Sequence, residues 1–348
     1  MEKKKMIAIT GGGTGGHLAI ARCLMQSANK MGLECIYIGS ENGQDRLWFE
    51  YEEGFKQKYF LSSQGVVNKK GLAKFHSFMH ILKLALDIKK ILRIQNIQAV
   101  FSVGGYSSAP AAFAALMDNI PLLIHEQNSK IGSLNKLLKP FSKAFFTAFK
   151  GQITTTNTFF CPYPVNEFFF TKRRIRKELK NIIFLGGSQG ARFINDLAIN
   201  NALYFKEKKI NIIHQCGSND YQRCKKAYEK LNIEVELFDF DKDVIEKIVK
   251  ADLAIARSGA SSLFELSANN LPCIFIPYPY AAKNHQYYNA LYLKELNLCE
   301  IFTQDSKQDF IKIIKNFNLQ AISLALNEIQ QENGSDFMLN KAKELKII

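Results

Sequence analysis

Two glycine-rich turns lie half a chain apart, Gly11-Gly12-Gly13-Thr14-Gly15-Gly16-His17 and Gly186-Gly187-Ser188-Gln189-Gly190-Ala191. Each follows an apolar strand-like run, Met6 to Thr10 and Asn181 to Leu185, and precedes a helix-like stretch. Without Cβ atoms the chain turns tightly and brings backbone N–H groups close to an anion at a helix N-terminus. Such a turn occurring twice predicts two similar α/β halves facing one cleft, with phosphate chemistry the first thing to suspect.

The pattern around the turns agrees. Strand-like runs at Met6–Thr10, Cys35–Ile38, Ala99–Val103, Leu122–His125 and Ala144–Phe146 alternate with helices from His17 to Met31 and over Ala109–Met117. The second half repeats this with strands Ile182–Leu185, Ile210–His214, Val235–Phe238, Leu253–Ala256 and Cys273–Ile276. Its helices are expected over Ala191–Tyr204, Tyr221–Leu231, Val244–Val249 and Ala260–Asn269. Alternation of this kind predicts two Rossmann-like, doubly wound, mostly parallel sheets. Between them, the prolines of Cys161-Pro162-Tyr163-Pro164-Val165 stiffen a hinge. The expected domains are 1–163, 164–318 and a Lys- and Glu-rich helical tail, 319–348, that could pack back on the first. At 348 residues and 47% apolar, the chain can bury two cores.

Composition narrows the function. The 46 Lys and Arg against 32 Asp and Glu give +14, which favours acidic partners such as nucleotides or anionic lipid. This charge is dispersed, no nucleic-acid module accompanies it, and no nucleic acid is expected. The apolar stretches Pro110–Ile124 and Leu271–Ala282 are broken by Asp118, Pro121, Pro277 and Pro279. Both stop short of the about 20 residues a spanning helix needs. The run Met6–Ile9 after the basic start is too short for a signal peptide, so any membrane contact should be peripheral. Seven cysteines without a Cys-x-x-Cys pair read as reduced thiols in the cytoplasm.

Taken literally, Gly11, Gly13 and Gly16 satisfy a dinucleotide fingerprint, with Glu41 as its ribose-binding acid, and a nicotinamide-dependent oxidoreductase stays open. Asp239-Phe240-Asp241 and Asp241-Lys242-Asp243 resemble metal-holding acid pairs, but they immediately precede the helix at Val244, where Asp caps. No metal and no cofactor is expected.

Five motifs in order fit something narrower: the first glycine turn through His17, Gly104-Gly105-Tyr106-Ser107-Ser108-Ala109-Pro110, His125-Glu126-Gln127-Asn128, the second glycine turn, and Arg257-Ser258-Gly259-Ala260. The set resembles the MurG family of peripheral membrane glycosyltransferases, over nearly the whole chain. That resemblance implies the two-domain glycosyltransferase B fold. It also implies transfer of N-acetylglucosamine, with inversion, from UDP-N-acetylglucosamine to undecaprenyl-diphospho-muramoyl-pentapeptide in peptidoglycan synthesis at the cytoplasmic membrane face. Cell-wall synthesis and division proteins are the partners it suggests. It places donor contacts at Thr14, Gly15, Gly16, Asn128, Ser188, Asp241, Gln286 and the run Ala260, Ser261, Ser262, Leu263, Phe264 and Glu265. Physically, Ser258 to Ser262 head a helix whose N–H groups and positive end suit a diphosphate, and Glu265 a turn later suits two ribose hydroxyls. Serine caps and a first-turn Glu also explain these residues without a ligand.

Two departures stand out. The family's Asn-Pro-Val-Arg reads Tyr163-Pro164-Val165-Asn166, replacing an expected donor-side Arg by an uncharged Asn166. Arg173, Arg174 or Arg257 then compensates, or the helix end carries more of the diphosphate. A paired Gln also becomes His285-Gln286. Because of Asn166 a non-catalytic nucleotide-sugar and membrane binding protein stays open beside the enzyme.

For proton removal from the acceptor hydroxyl, His17 is the preferred base, neutral near pH 7 and held by the glycine turn. Tyr106, His125 and Glu126 are second candidates for acceptor positioning or proton transfer. An anionic membrane surface is suggested by Lys69, Lys70, Lys74 and Lys83 around Leu72, Phe75, Phe78, Met79 and Leu82, much of whose apolar set falls on one helical face. Lys136, Lys139, Phe141 and Lys143 could extend it, and a core-facing helix explains the apolar residues as well.

Overall fold

The computed structural model describes residues 5–63, 65, 71–187, 190–241, 244–329 and 332–348, without the side chains of 72 and 74. The expected donor contact Ser188, the neighbouring Gln189, the basic start 1–4, Lys69, Lys70, the side chains of Leu72 and Lys74, and Lys242 and Asp243 of the acidic run lie outside the described residues.

The chain divides into two compact units, Met1–Val165 with Glu332–Ile348, and Asn166–Gln331. In the first, the elements run β1 Met6–Thr10, α1 Gly15–Lys30, β2 Glu34–Ser40, α2 Asp45–Phe49, β3 Gln57–Leu61 and α3 Gly71–Ile94. They continue with β4 Ile97–Ser102, α4 Ala109–Met117, β5 Leu122–Glu126, α5 Ser133–Leu138, β6 Ala144–Thr147 and β7 Thr158–Phe160. The strands form one parallel sheet in the order β3-β2-β1-β4-β5-β6-β7.

In the second unit come α6 Glu167–Thr171, β8 Asn181–Leu185, α7 Arg192–Asn200, α8 Ala202–Glu207, β9 Asn211–Gln215, α9 Tyr221–Lys230 and β10 Glu236–Phe238. Then follow α10 Val244–Lys250, β11 Leu253–Ala256, α11 Ala260–Ala268, β12 Cys273–Phe275, α12 His285–Glu295, β13 Glu300–Ile301, α13 Phe310–Asn316 and α14 Leu319–Ile329. This sheet is again parallel, ordered β10-β9-β8-β11-β12-β13. The last helix, α15 Gly334–Glu344, packs on α1 in the first unit. Of the tail set at 319 from sequence, α14 thus belongs to the second unit and only 332–348 to the first.

Both sheets reverse direction of winding between their first and fourth strands, at β1/β4 and at β8/β11. In open α/β sheets the carboxyl ends beside such a reversal are where ligands bind. The two glycine turns sit there, directly after β1 and β8.

The strands are buried on both faces, which explains their unbroken apolar runs. Ile7, Ala8 and Ile9 of β1 and Ile182, Ile183 and Phe184 of β8 are fully buried. Against the first sheet, α3 buries Ile81, Ala85, Ile88 and Leu92, one helical face, with the alanines of α4 beside it. Helices α3, α4, α9, α11 and α12 each stop two residues before an Asn at φ between 51 and 58°, namely Asn96, Asn119, Asn232, Asn270 and Asn297. Asn takes the left-handed position that glycine usually fills.

The single helix expected over Ala191–Tyr204 is two, α7 and α8, broken at Asn201, whose Nδ2 donates to the Leu197 carbonyl at 2.8 Å. That side-chain bond competes with continued helix. Three edge strands, β3, β7 and β13, were not anticipated.

Arg176 is wholly buried in the second unit. Its guanidinium donates to Ala251 O at 3.2 Å, to Arg174 O at 2.8 Å, and to both the carbonyl and the side-chain oxygen of Asn269. It thereby ties the C-terminal ends of α10 and α11, where carbonyls lack helical partners and the dipole is negative. Burial, with a smaller push from Arg174, lowers its pKa to about 9, still charged at neutral pH.

Candidate functional site

In the first unit two glycine turns meet back to back beside the β1/β4 reversal. Gly105 has φ of 82°, and a Cβ there would stand 2.2 Å from Gly12 O, so no other residue fits. Tyr106 lies against Gly13, and the His17 ring lies over Gly104. Thr14 caps α1 from an extended backbone, but its Oγ1 is turned to His17 Nδ1 at 2.9 Å. The opposite ring nitrogen of His17, Nε2, meets Gln127 Nε2 at 2.9 Å.

The first turn is also braced from within. Asp45, fully buried, accepts the Gly13 N–H at 2.6 Å, the Ser40 N–H at 2.8 Å and the Tyr37 hydroxyl at 3.0 Å. A protein carboxylate therefore takes the turn donor that a dinucleotide phosphate would need. Glu41, the acid of that reading, faces Arg46 at 3.4 Å. The nicotinamide alternative loses its site on both counts.

The remaining candidates of this unit divide sharply. His125 is fully buried, neither ring nitrogen has a hydrogen-bond partner among the described residues, and burial, then the nearby His17, pushes its pKa down to about 3. It cannot take up a proton near neutrality, which corrects its assignment to proton transfer. Glu126 is buried too, with Oε1 accepting the Asn128 N–H at 3.0 Å and Oε2 accepting Gly132 N–H and Asn135 Nδ2 at 2.9 Å each. Its oxygens brace the turn that carries Gln127 and Asn128, a structural task in place of the catalytic one expected. Asn128 is fixed further by Gln152 Nε2, which donates to its carbonyl at 2.7 Å.

In the second unit the glycine turn closes on the β8/β9 edge, where Gly190 at φ 76° passes 2.3 Å, at Cβ distance, from Cys216 O. Beside it, β11 ends and α11 begins. The residue before the helix is Gly259, which has no side chain to occupy the helix end. Ala260 N–H and Ser262 N–H belong to the first turn, which has no carbonyls of its own to bond. Ser258 is fully buried and its hydroxyl has no hydrogen-bond partner among the described residues, while its carbonyl accepts from Asn289 Nδ2 at 3.2 Å. Glu265 is half-buried, and among the described residues its carboxyl takes no hydrogen bond; burial pushes its pKa up to about 7.

Of the run from Ala260 to Glu265, Leu263 departs from expectation: it is fully buried and its N–H donates to Gly259 O at 3.0 Å, so it builds core. Phe264 is buried beside it, and Ser261 and Ser262 are half-buried. Gln286 uses its Oε1 to accept the Tyr278 N–H at 2.9 Å. Asp241 pairs with Lys247 at 2.7 Å. Among the described residues no group of three or more His, Cys, Asp or Glu could hold a metal ion.

Asn166 caps α6, accepting the Phe168 N–H at 3.0 Å. Arg174 is spent on the carbonyls of Val249, Lys250 and Ala251 and on Asp252 at 2.7 Å. Arg257 donates to Ile276 O and Pro277 O, at 3.0 and 3.2 Å, and lies over Tyr278. Neither is a loose guanidinium standing in for the missing one. Lys139 also departs from expectation. It is buried, donating to Gln152 O and Thr154 Oγ1 at 3.2 and 3.0 Å, and is no part of a basic surface.

Sequence reasoning missed Asp45, Tyr37 and the contact of Gln127 with His17. Gln127 stood inside a quoted motif without a task, whereas nothing in the spacing of Tyr37 and Asp45 points to a shared turn.

Comparison with known proteins bears on the whole chain. Residues 7–147 match the glycosyltransferase family 28 N-terminal domain and residues 181–345 its C-terminal domain. A protein of Campylobacter jejuni subsp. doylei, named UDP-N-acetylglucosamine--N-acetylmuramyl-(pentapeptide) pyrophosphoryl-undecaprenol N-acetylglucosamine transferase, is 60% identical, covering 97% of each chain. Proteins of the same name from Campylobacter fetus subsp. fetus and Wolinella succinogenes are 49% and 52% identical, over 97% and 86% of this chain and 99% and 88% of theirs. The crystal structure of Acinetobacter baumannii MurG superposes with a TM-score of 0.78 at 22% identity, covering 98% of this chain and 99% of that one, which shows the same glycosyltransferase fold. The chain is a glycosyltransferase, and by its identity to these relatives along nearly all its length it belongs to the MurG family of glycosyltransferase family 28.

Proposed function

We propose that this chain transfers N-acetylglucosamine from UDP-N-acetylglucosamine to the muramoyl sugar of undecaprenyl-diphospho-N-acetylmuramoyl-pentapeptide, inverting the anomeric carbon. The observation that carries the reading is the 60% identity, end to end, to transferases named for that reaction. The geometry of each unit supports a division of labour.

On the donor side, the diphosphate lies at the start of α11. The first-turn amides and the helix dipole offset its charge, and they offset more as the sugar departs and UDP gains charge. Glu265 accepts hydrogen bonds from the ribose hydroxyls. Asn128, Asn166, Ser188, Asp241 and Gln286, with Thr14, Gly15 and Gly16, are the further donor contacts of this reading. Binding rests on fixed dipoles where relatives of the resembled pattern use an Arg, since Asn166 brings no charge.

On the acceptor side, His17 Nε2 takes the proton of the attacking hydroxyl. The oxygen pair of that hydroxyl forms the new bond to the anomeric carbon from the face opposite UDP. The old C–O bond breaks and UDP leaves with its electrons. One displacement of this kind inverts the centre. Tyr106, lying on Gly13, helps shape the acceptor's place.

No described helix is long and apolar enough to cross a membrane. Peripheral docking on an anionic bilayer at its cytoplasmic face is the reading for the start of α3, where Phe75, Phe78 and Met79 are 60%, 41% and 48% exposed and Lys83 is exposed beside them. Lys136, Phe141 and Lys143, all exposed, extend the same character.

Incubating the full chain with UDP-N-acetylglucosamine and the lipid-linked muramoyl acceptor should release UDP and extend the lipid by one sugar. Donor binding and vesicle binding without that release would select the non-catalytic alternative.

A further inference from the structure

Gln127 has no task in the reaction as drawn, yet it touches the one ring nitrogen on which the reaction depends. Its Nε2 stands 2.9 Å from His17 Nε2. A carboxamide nitrogen carries two hydrogens and no available lone pair, so it can only donate there. The amide oxygen faces away from the ring, where the Tyr163 hydroxyl donates to Gln127 Oε1 at 3.5 Å. Tyr163 itself is 1% exposed and packs edge-on against His125 with centroids 5.5 Å apart. It cannot swing away.

Donation into Nε2 leaves the neutral His17 ring with its hydrogen on Nδ1. Thr14 Oγ1 receives it at 2.9 Å. With the amide so placed, the run Tyr163, Gln127, His17, Thr14 carries its hydrogens in one direction, and a proton added at Nε2 would point at the amide hydrogens. The titratable groups around the ring come from four segments. They are His125 on β5, buried; Tyr163 after β7; Tyr106 against Gly13; and Asp45, turned to the Gly13 N–H. Glu126, adjacent in sequence to Gln127, faces Gly132 and Asn135.

We propose that Gln127, oriented by Tyr163, is a positioning residue that holds resting His17 as the Nδ1–H tautomer and keeps its Nε2 lone pair directed outward for the acceptor hydroxyl, which displaces the amide on arrival. The proposal rests on the transferase reading for its meaning but not for its first test. In the reaction the acceptor's O–H bond breaks, its proton goes to Nε2, and the amide returns once the proton has left with solvent.

Nitrogen-15 NMR of the full chain with labelled histidine, titrated from pH 8 downward, should show His17 protonated at Nδ1 and bare at Nε2 in the neutral form. In Gln127→Glu the facing oxygen can accept and cannot donate. The ring should then turn to Nε2–H, and the acidic limb of kcat/KM for transfer should move up by about one pH unit, as an added carboxylate partner requires. Tyr163→Phe, which keeps the ring and loses the hydroxyl, should give a mixture of tautomers and lower kcat while donor KM holds. An Nε2–H tautomer in the wild-type chain would overturn the proposal. So would a Gln127→Glu chain whose spectrum and pH limb match wild type. If Gln127→Glu does not fold, the wild-type titration and Tyr163→Phe still decide. Loss of transfer in the wild-type chain would sink the reaction reading while leaving the tautomer result standing.

Discussion

The two units share a winding order and differ in what occupies the end of the sheet. In the first, the turn after β1 is filled by the chain's own anion, with Asp45 on the Gly13 N–H, and a histidine is held above the adjoining turn. In the second, α11 starts at a glycine without a side chain, next to a buried hydroxyl and a half-buried carboxyl that both lack a hydrogen bond among the described residues. The same topology thus yields one end that already holds a carboxylate on its turn amide and one where a helix begins at a bare glycine. On the proposed reading a phosphate ligand takes the second end, by dipole and amides, and the first positions a base.

The sharpest break of this contrast is His17→Ala. If the first unit supplies the base, transfer should fall about a thousandfold, the middle of the range for general base removal. UDP affinity, measured by calorimetry, should hold. Turnover close to wild type would end the division of labour.

A stability measurement probes what holds α11 in place. Arg176→Met should cost about 3 kcal/mol in urea unfolding, because the carbonyl and the side-chain oxygen of Asn269 would lose their guanidinium donor inside the fold. A loss below about 1 kcal/mol would mean that packing alone fixes the helix ends. On the other side, Asp45→Asn should cost about 2 kcal/mol, since an amide NH2 would be set against the Gly13 N–H. No loss would show that the first turn does not need its internal anion.

How much of this contrast the sequence carried depends on range. The winding order follows from local signals, because β1, β8 and their neighbours are unbroken apolar runs ended by glycine. The edge strands escaped: β13 is Glu300–Ile301 alone, and β3, Gln57–Leu61, is only partly buried, so neither has the apolar density that marks a central strand. Helix ends written with Asn96 or Asn119 were less visible than those written with glycine or proline. At the site, motif residues such as His17 and Glu265 could be named because neighbours in sequence explain them. Asp45 could not: its partners Gly13 and Tyr37 come together only when β1, β2 and α2 assemble. His125 and Lys139 were misjudged for a related reason, since burial, which decides the proton affinity of one and the accessibility of the other, is a property of packing that a motif does not display.

The smallest effect is the most specific to the second unit. Burial raises the Glu265 carboxyl to about 7, so in the free chain it is protonated below that pH and ionised above it. On the proposed reading ribose hydroxyls donate to the ionised form, so that binding UDP lowers the pKa and releases a proton when it starts from the protonated chain. The sign follows: affinity for UDP is at its full value above about pH 7 and declines as pH falls through 7, by up to about tenfold per pH unit until the pKa of the bound state is reached. Glu265→Gln keeps the shape, weakens UDP by about tenfold at pH 8, the scale of a hydrogen bond to a charged group, and should flatten the response between pH 8 and 6. Calorimetry in two buffers of different ionisation heat would count the proton directly at pH 6.5. A pH response that persists unchanged in the Gln variant would assign it to another group and remove Glu265 from the ribose.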